Sequence, residues 1–229
     1  MTFDILFEDE HLVAINKPSG IMVHRTSITE DKVFIIQLLR KQIQQRVYPI
    51  HRLDRPTTGV LVFGKTSKVA SILSEGFRNK EVHKKYLAII RGFVEETGEI
   101  DYALLDEKRR NRLDAQTNYQ RLAETEVDFS VGKYPSSRYS FIEAFPLTGR
   151  QHQIRRHFAH IRHPIIGDRR HGDVKHNNYF RDVLGFDRMF LHASSIYLRH
   201  PITEIAIEIQ ADLGENFLQT LSFLRLKSI

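Results

Sequence analysis

The stretch His51-Arg52-Leu53-Asp54-Arg55-Pro56-Thr57-Thr58-Gly59-Val60-Leu61-Val62-Phe63 constrains this chain more than any other. Pro56 and Gly59 punctuate a loop, and Val60 to Phe63 follow as an unbroken apolar run of strand length, which reads as a buried strand. Asp54 therefore sits in the loop that feeds a core strand, with an arginine close on either side. Nearby positive charge favours the ionised form of a carboxyl group, which suits a nucleophile or a base better than a general acid. Taken alone, an Arg-Leu-Asp-Arg string reads as an exposed ion pair of small worth. The rest of the string is what sets this one apart.

Around it, the pattern is that of one α+β domain over residues 1–229. Phe3 to Phe7 and Leu12 to Ile15 read as strands on either side of the Glu8-Asp9-Glu10 turn, and Lys17-Pro18-Ser19-Gly20 ends the second. Phe34, Ile35, Leu38, Leu39 and Ile43 fall at helical spacing within about 32–46. Val69, Ile72, Leu73 and Phe77 mark a second helix, closed by Arg78-Asn79-Lys80. Tyr86 to Ile90 is another apolar strand. Residues 106–118, with Lys108-Arg109-Arg110-Asn111-Arg112, read as the least organised part. Strands are expected over about 119–129, 138–145, 189–198 and 205–209, a helix over 150–162, and a terminal helix over 217–226. There is no internal repeat and no low-complexity linker. The expected fold is a mixed, largely antiparallel central sheet flanked by helices.

The chain holds 34 Lys and Arg against 28 Asp and Glu, a net charge of +6, which favours an anionic partner without specifying a fold. Between Arg150 and His171 stand six arginines (150, 155, 156, 162, 169, 170) and five histidines (152, 157, 160, 163, 171), against one acid, Asp168. On a helix, positions three and four apart share a face. Arg156, His160 and His163 are therefore expected on one side, with Ile154, Phe158 and Ile161 turned to the core. Such a row would neutralise phosphates and make binding fall steeply with salt. The chain has no cysteine, which excludes disulfides, zinc–thiolate sites and cysteine nucleophiles. No run reaches the length of a membrane span and no secretory pattern opens the chain, so a cytoplasmic protein is expected. The histidines lack metal-ligand company, so no metal is expected, and no glycine-rich phosphate loop points to a nucleotide cofactor.

The Asp54 string resembles the catalytic motif of the RluA-type pseudouridine synthases, enzymes that isomerise uridine in RNA to its C-glycoside. Four further segments match in the family's order: Asp9 to Gly20, Lys85-Tyr86-Leu87-Ala88, Leu147 to Arg155 with Pro164 to Asp168, and Leu191-His192-Ala193. The resemblance implies a pseudouridine-synthase-like catalytic domain that needs no cofactor. It makes Asp54 the essential carboxylate, Tyr86 the ring that packs against a flipped uracil, and Arg155 the cation beside the carboxylate. Arg52 resembles the arginine that fills the space left by the base. Lys17 and Asn16 are expected to support the active-site loop and the RNA backbone. His51 is expected to position the loop rather than transfer protons. Arg52, Arg55, Lys17, Arg150, Arg156, Arg109, Arg110 and Arg112 form the expected RNA-binding set.

Three routes remain open for Asp54: attack on C1′, attack on uracil C6, or removal of the C2′ proton to give a glycal, which the family resemblance favours. The family often carries a small S4-type RNA-binding domain. Here the opening motif begins about ten residues from Met1, which leaves no room for one ahead of it, so affinity is expected to come from the catalytic domain. Within the family, the features of the chain point to a uridine in tRNA, at position 65 in the TΨC stem, with a ribosomal-RNA enzyme of the same family or a catalytically silent RNA-binding module as the alternatives. A monomer with no obligate protein partner is expected.

Overall fold

The computed structural model describes residues 1–24, 33–106 and 109–226. In chain order the elements are β1 (Asp4–Glu8), β2 (Leu12–Lys17), α1 (Ile35–Ile43), β3 (Tyr48–Pro49), β4 (Thr58–Gly64), α2 (Ser67–Arg78) and β5 (His83–Arg91). There follow β6 (Thr97–Asp101), β7 (Leu104–Asp106), β8 (Asn111–Leu113), β9 (Gln116–Val127), β10 (Ser137–Pro146), α3 (Gln153–His160) and α4 (Val174–Asp182). The chain ends in β11 (Leu191–Arg199), β12 (Ala206–Gln210) and α5 (Glu215–Phe223). The class is α+β, as expected, with antiparallel strand pairs covered by helices. No helix among the described residues is long and apolar enough to cross a membrane. The residues group into two compact units, Met1–Lys84 with Ala193–Asp212 and Lys85–His192 with Leu213–Ile229.

In the first unit the strands run in the order β1, β2, β4, β11, with β3 on β4 and β12 on β11. Leu12, Ala14, Val60, Val62, Ile196 and Leu198 share one face, as their period of two requires, and pack with Val69 and Leu73 of α2. Val13, Ile15, Leu61 and Phe63 on the opposite face are also buried. Burial on both faces is why the run after Gly59 lacks polar alternation. The Thr66 hydroxyl caps α2 by accepting from the Val69 N–H at 3.2 Å. Ile72 lies on the outer side of that helix, at 39% exposure, not in the apolar stripe. The first helix is shorter than the expected 32–46: Phe34 precedes it, Gln44 leaves it with φ +54°, and Lys32 lies outside the described residues.

In the second unit the order is β5, β10, β9, β6, with β7 and β8 forming a separate hairpin. Ala88, Ile90, Ile142 and Ala144 face Ile154 and Phe158 of α3. Ile89, Tyr139 and Phe141 face the other way, toward Phe180 of α4 and Phe217 and Leu221 of α5. Three expectations need correction here. The 106–118 stretch is not an unorganised loop, because Leu104–Asp106 pairs with Asn111–Leu113 and β9 begins at Gln116; Lys108 lies outside the described residues. The helix expected from Arg150 starts only at Gln153, because His152 takes φ +54°, and it stops where Arg162 takes φ +66°. Helix α4 stands where no helix is expected from the apolar spacing. Asp173 caps it by accepting from the Lys175 and His176 N–H groups.

Candidate active site

In the first unit, the site is the loop 51–57 stitched to the loop 17–20. Lys17, the last residue of β2, pairs with Gly59 at the start of β4. Its Nζ donates to the carbonyls of Pro18 (2.9 Å), Arg55 (3.0 Å) and Thr57 (2.8 Å). Three acceptors take three N–H groups, the number an ammonium carries. Burial pulls the Lys17 pKa down to about 7, and the Asp54 carboxylate opposes that fall. The two loops are sewn further by Gly20 N–H to Arg55 O (2.9 Å), Arg55 Nε to Gly20 O (2.8 Å) and Ser19 Oγ to Pro56 O (3.2 Å). Asp54 itself opens a turn, its carbonyl accepting from the Thr57 N–H at 3.1 Å. Its half-buried carboxylate is thus carried on backbone fixed at both ends.

Lys17 therefore does not belong with the RNA contacts. It is 0% exposed and its ammonium is spent on the loop. His51 accepts the Val62 N–H at 3.1 Å through Nε2 and stacks on Phe77 with ring centroids 4.8 Å apart. Burial, with help from the Lys84 charge, pulls its pKa down to about 3, so the ring is neutral and orients the loop. Gly59 has φ +108°, and a Cβ there would lie 2.1 Å from Ala193 O, so no other residue fits. Arg52 and Arg55 are exposed and line a shallow hollow with Met22, Val23, His24 and Leu53.

In the second unit, Tyr86 lies opposite Ala144 in the β5–β10 register, half-buried against the core that holds Ile154 of α3. Arg155 lies on the first turn of α3 and is 5% exposed. Its Nε and Nη2 donate to Asp168 Oδ2 and Oδ1, both at 2.7 Å. Asp168 Oδ1 also accepts the N–H groups of Arg170 (3.0 Å) and His171 (3.1 Å). Burial would raise the Asp168 pKa, but the Arg155 guanidinium and these N–H groups more than offset it and hold it below the usual carboxylate range. Asn177 fixes the Gly167–Asp168 turn from α4, accepting from Gly167 N and donating to Asp168 O.

Asp168 is the partner of the Arg155 guanidinium, a contact the sequence does not specify. Its signals in the sequence are that it ends the matched Pro164 to Asp168 segment and that it is the lone acid among eleven cationic or imidazole side chains. Gln153 explains why α3 begins where it does. Its Oε1 accepts from Thr148 Oγ and Arg150 N, and its Nε2 donates to Gln116 O and Thr117 Oγ. His157 is buried: Nε2 meets Tyr102 O at 3.1 Å and so carries the proton, which leaves Nδ1 to accept from Thr117 at 2.9 Å.

The expected row of Arg156, His160 and His163 is only partly present. His163 lies past the helix end and its Nδ1 meets Arg91 O at 2.9 Å. Arg150 is exposed, with Nε on Asp114 O. Arg109, Arg110 and Arg112 are exposed on the β7–β8 hairpin. Arg156 joins this hairpin to α3, donating to Leu105 O at 3.1 Å. The two basic runs, about forty residues apart in sequence, therefore meet on one unit. Among the described residues, no group of three or more His, Asp or Glu side chains converges to hold a metal.

Residues 11–160 match the model of the RNA pseudouridylate synthase family. The chain is 47% identical over 223 residues to tRNA pseudouridine synthase C of Vibrio vulnificus (strain CMCP6), covering 93% of this chain and 91% of the relative. It is 44% identical over 233 residues to the protein of the same name from Pasteurella multocida (strain Pm70), covering 97% and 96%. The fold resembles the solved structure of human RNA pseudouridylate synthase domain containing 4, with a TM-score of 0.74 and 27% identity over 97% of this chain and 93% of that one.

Proposed function

Because the chain belongs to the RNA pseudouridylate synthase family, we propose that it isomerises a uridine in tRNA, at position 65, to pseudouridine, acting in the cytoplasm as a monomeric catalytic domain without a cofactor. The observation that carries this reading is the Asp54 turn, held by the Lys17 ammonium and the 17–20 loop so that the carboxylate is presented from rigid backbone. The target base is turned out of its stack into a pocket. Arg52 takes the place it leaves, and Tyr86 packs on the uracil ring. In the glycal route, Asp54 takes the C2′ proton while the C1′–N1 bond breaks, and the bonding pair leaves with the uracil. The base then turns, C5 bonds to C1′, the proton returns to C2′, and the hydrogen displaced from C5 is balanced by the one gained at N1. By the family resemblance Arg155, held in place by Asp168, is the cation assigned to the reacting carboxylate.

Arg52, Arg55, Arg150, Arg156, Arg109, Arg110 and Arg112 supply phosphate contacts, which position RNA without reading its sequence. The test is chemical mapping of pseudouridine in total RNA lacking the modification, with and without the protein. A new signal at one tRNA uridine supports the reading. A signal confined to ribosomal RNA moves the substrate, and no signal in any RNA defeats the reading.

A further inference from the structure

The junction of hairpin and helix contains an aromatic column that the proposed chemistry does not use. Tyr102 is pinned from below, half-buried against the core around Ile154 and Phe158, with its N–H on Ala115 O and its carbonyl accepting from His157. The His160 ring lies flat on it, centroids 3.6 Å apart and planes 14° from parallel. The Arg112 guanidinium lies over the same Tyr102 ring at 5.4 Å, anchored to Ala103 O. His160 is exposed, at the last residue of α3. A lone surface histidine samples several rotamers, and fixing it on a partner costs side-chain entropy. Here that ordering is already made by Tyr102, so the ring is offered to solvent as a rigid flat surface. Beside it stand Arg112, over the same Tyr102 ring, and Arg156, one turn back on α3 and bonded to Leu105 O, while Arg109 and Arg110 are exposed on the same hairpin.

Resting on the reading of the chain as an RNA-modifying enzyme, we infer that His160, backed by Tyr102, is a stacking platform for an unpaired nucleobase of the RNA other than the target uridine, with the neighbouring arginines taking the flanking phosphates. Cations beside a π-face are the combination by which proteins hold single-stranded nucleic acid, with the ring reading the presence of a base and not its identity. A patch that served phosphate alone would need the arginines but not an exposed ring fixed face-up.

The chain has no tryptophan, so 2-aminopurine fluorescence reports stacking without interference. The probes are a six-residue RNA of abasic riboses carrying a single 2-aminopurine, so that no other base can take the platform, and the same strand with an abasic ribose at that place. Wild type is expected to quench the 2-aminopurine and to bind the abasic strand about fivefold more weakly, the lower end of base–aromatic stacking. His160→Ala is expected to lose the quenching and bind both strands alike, and His160→Phe to recover both. Thermal unfolding checks that each variant folds, and His160→Gln replaces the alanine variant if that one does not. Discrimination by His160→Ala equal to wild type overturns the inference. So does an equal loss for both strands, which would mark His160 as a clasp between helix and hairpin. Wild type that forms pseudouridine but does not quench defeats the platform alone. Wild type that quenches but modifies no RNA defeats the proposed activity alone.

Discussion

Removing the Asp168 carboxylate leaves a buried guanidinium without its counter-charge. Asp168 is 1% exposed and takes four hydrogen bonds, two from the Arg155 guanidinium and two from the backbone of Arg170 and His171. Asp168→Ala leaves a guanidinium that is 5% exposed without its counter-charge. Breaking one side of such a buried pair costs about 3–5 kcal/mol, a large part of the roughly 5–15 kcal/mol that holds a protein folded. Arg155→Met with Asp168→Leu removes both charges, and replacing a buried pair by apolar groups is often neutral, so the double variant should recover most of the loss. The assay is urea unfolding of wild type, both single variants and the double variant at pH 7. Asp168 titrates lower in the folded chain than in the unfolded one, so its contribution is full above about pH 4. It is lost as the pH falls through the folded value, and the gap between wild type and Asp168→Ala should close there. A loss under about 1 kcal/mol at pH 7, or a double variant no better than the single one, would refute the reasoning.

Other outcomes follow from the same geometry. His51 is neutral when folded, with a pKa near 3, so between about pH 6.5 and 3 the unfolded chain binds the extra proton and stability falls as the pH falls; denaturation across that range should show a shallower slope for His51→Gln. Gly59→Ala brings a Cβ to 2.1 Å from Ala193 O at φ +108°, and should cost about 3 kcal/mol or more in thermal or urea unfolding. Replacing any two of Arg109, Arg110 and Arg112 by alanine should flatten the salt dependence of tRNA binding, lowering the log–log slope by roughly one for each phosphate left unneutralised. Filter binding across a salt series checks this, and single-turnover rates at saturating RNA should hold.

The two-faced burial of β4 is legible in the sequence because Val60 to Phe63 have no polar alternation, and α2 because Val69, Leu73 and Phe77 fall at helical spacing, although Ile72, expected with them, faces outward. The true start of α3 is not legible. It depends on Gln153 folding back onto Thr148, Arg150 and the Gln116–Thr117 backbone, and the Gln116 end of that set lies 37 residues away. The β7–β8 hairpin is hidden because its pairing is only three residues long, too short for an apolar alternation to show. Lys17 illustrates a different limit. A lysine beside a proline and a glycine reads as surface, and only the convergence of three carbonyls on its Nζ shows that it is buried. Asp54 and Tyr86 are nameable from motif alone, whereas the bracing of Arg155 by Asp168 requires a turn closed by Asn177.

The most direct measurement is pseudouridine formation by Asp54→Asn. This change removes the charge while keeping the size of the side chain, and it leaves the Lys17 bonds to Arg55 O and Thr57 O in place. Single-turnover assays on unmodified tRNA, beside filter binding of the same tRNA, separate chemistry from affinity. The expected result is no detectable pseudouridine from Asp54→Asn, with tRNA binding and urea midpoint close to wild type. Turnover by Asp54→Asn within about tenfold of wild type would contradict the assignment of the carboxylate.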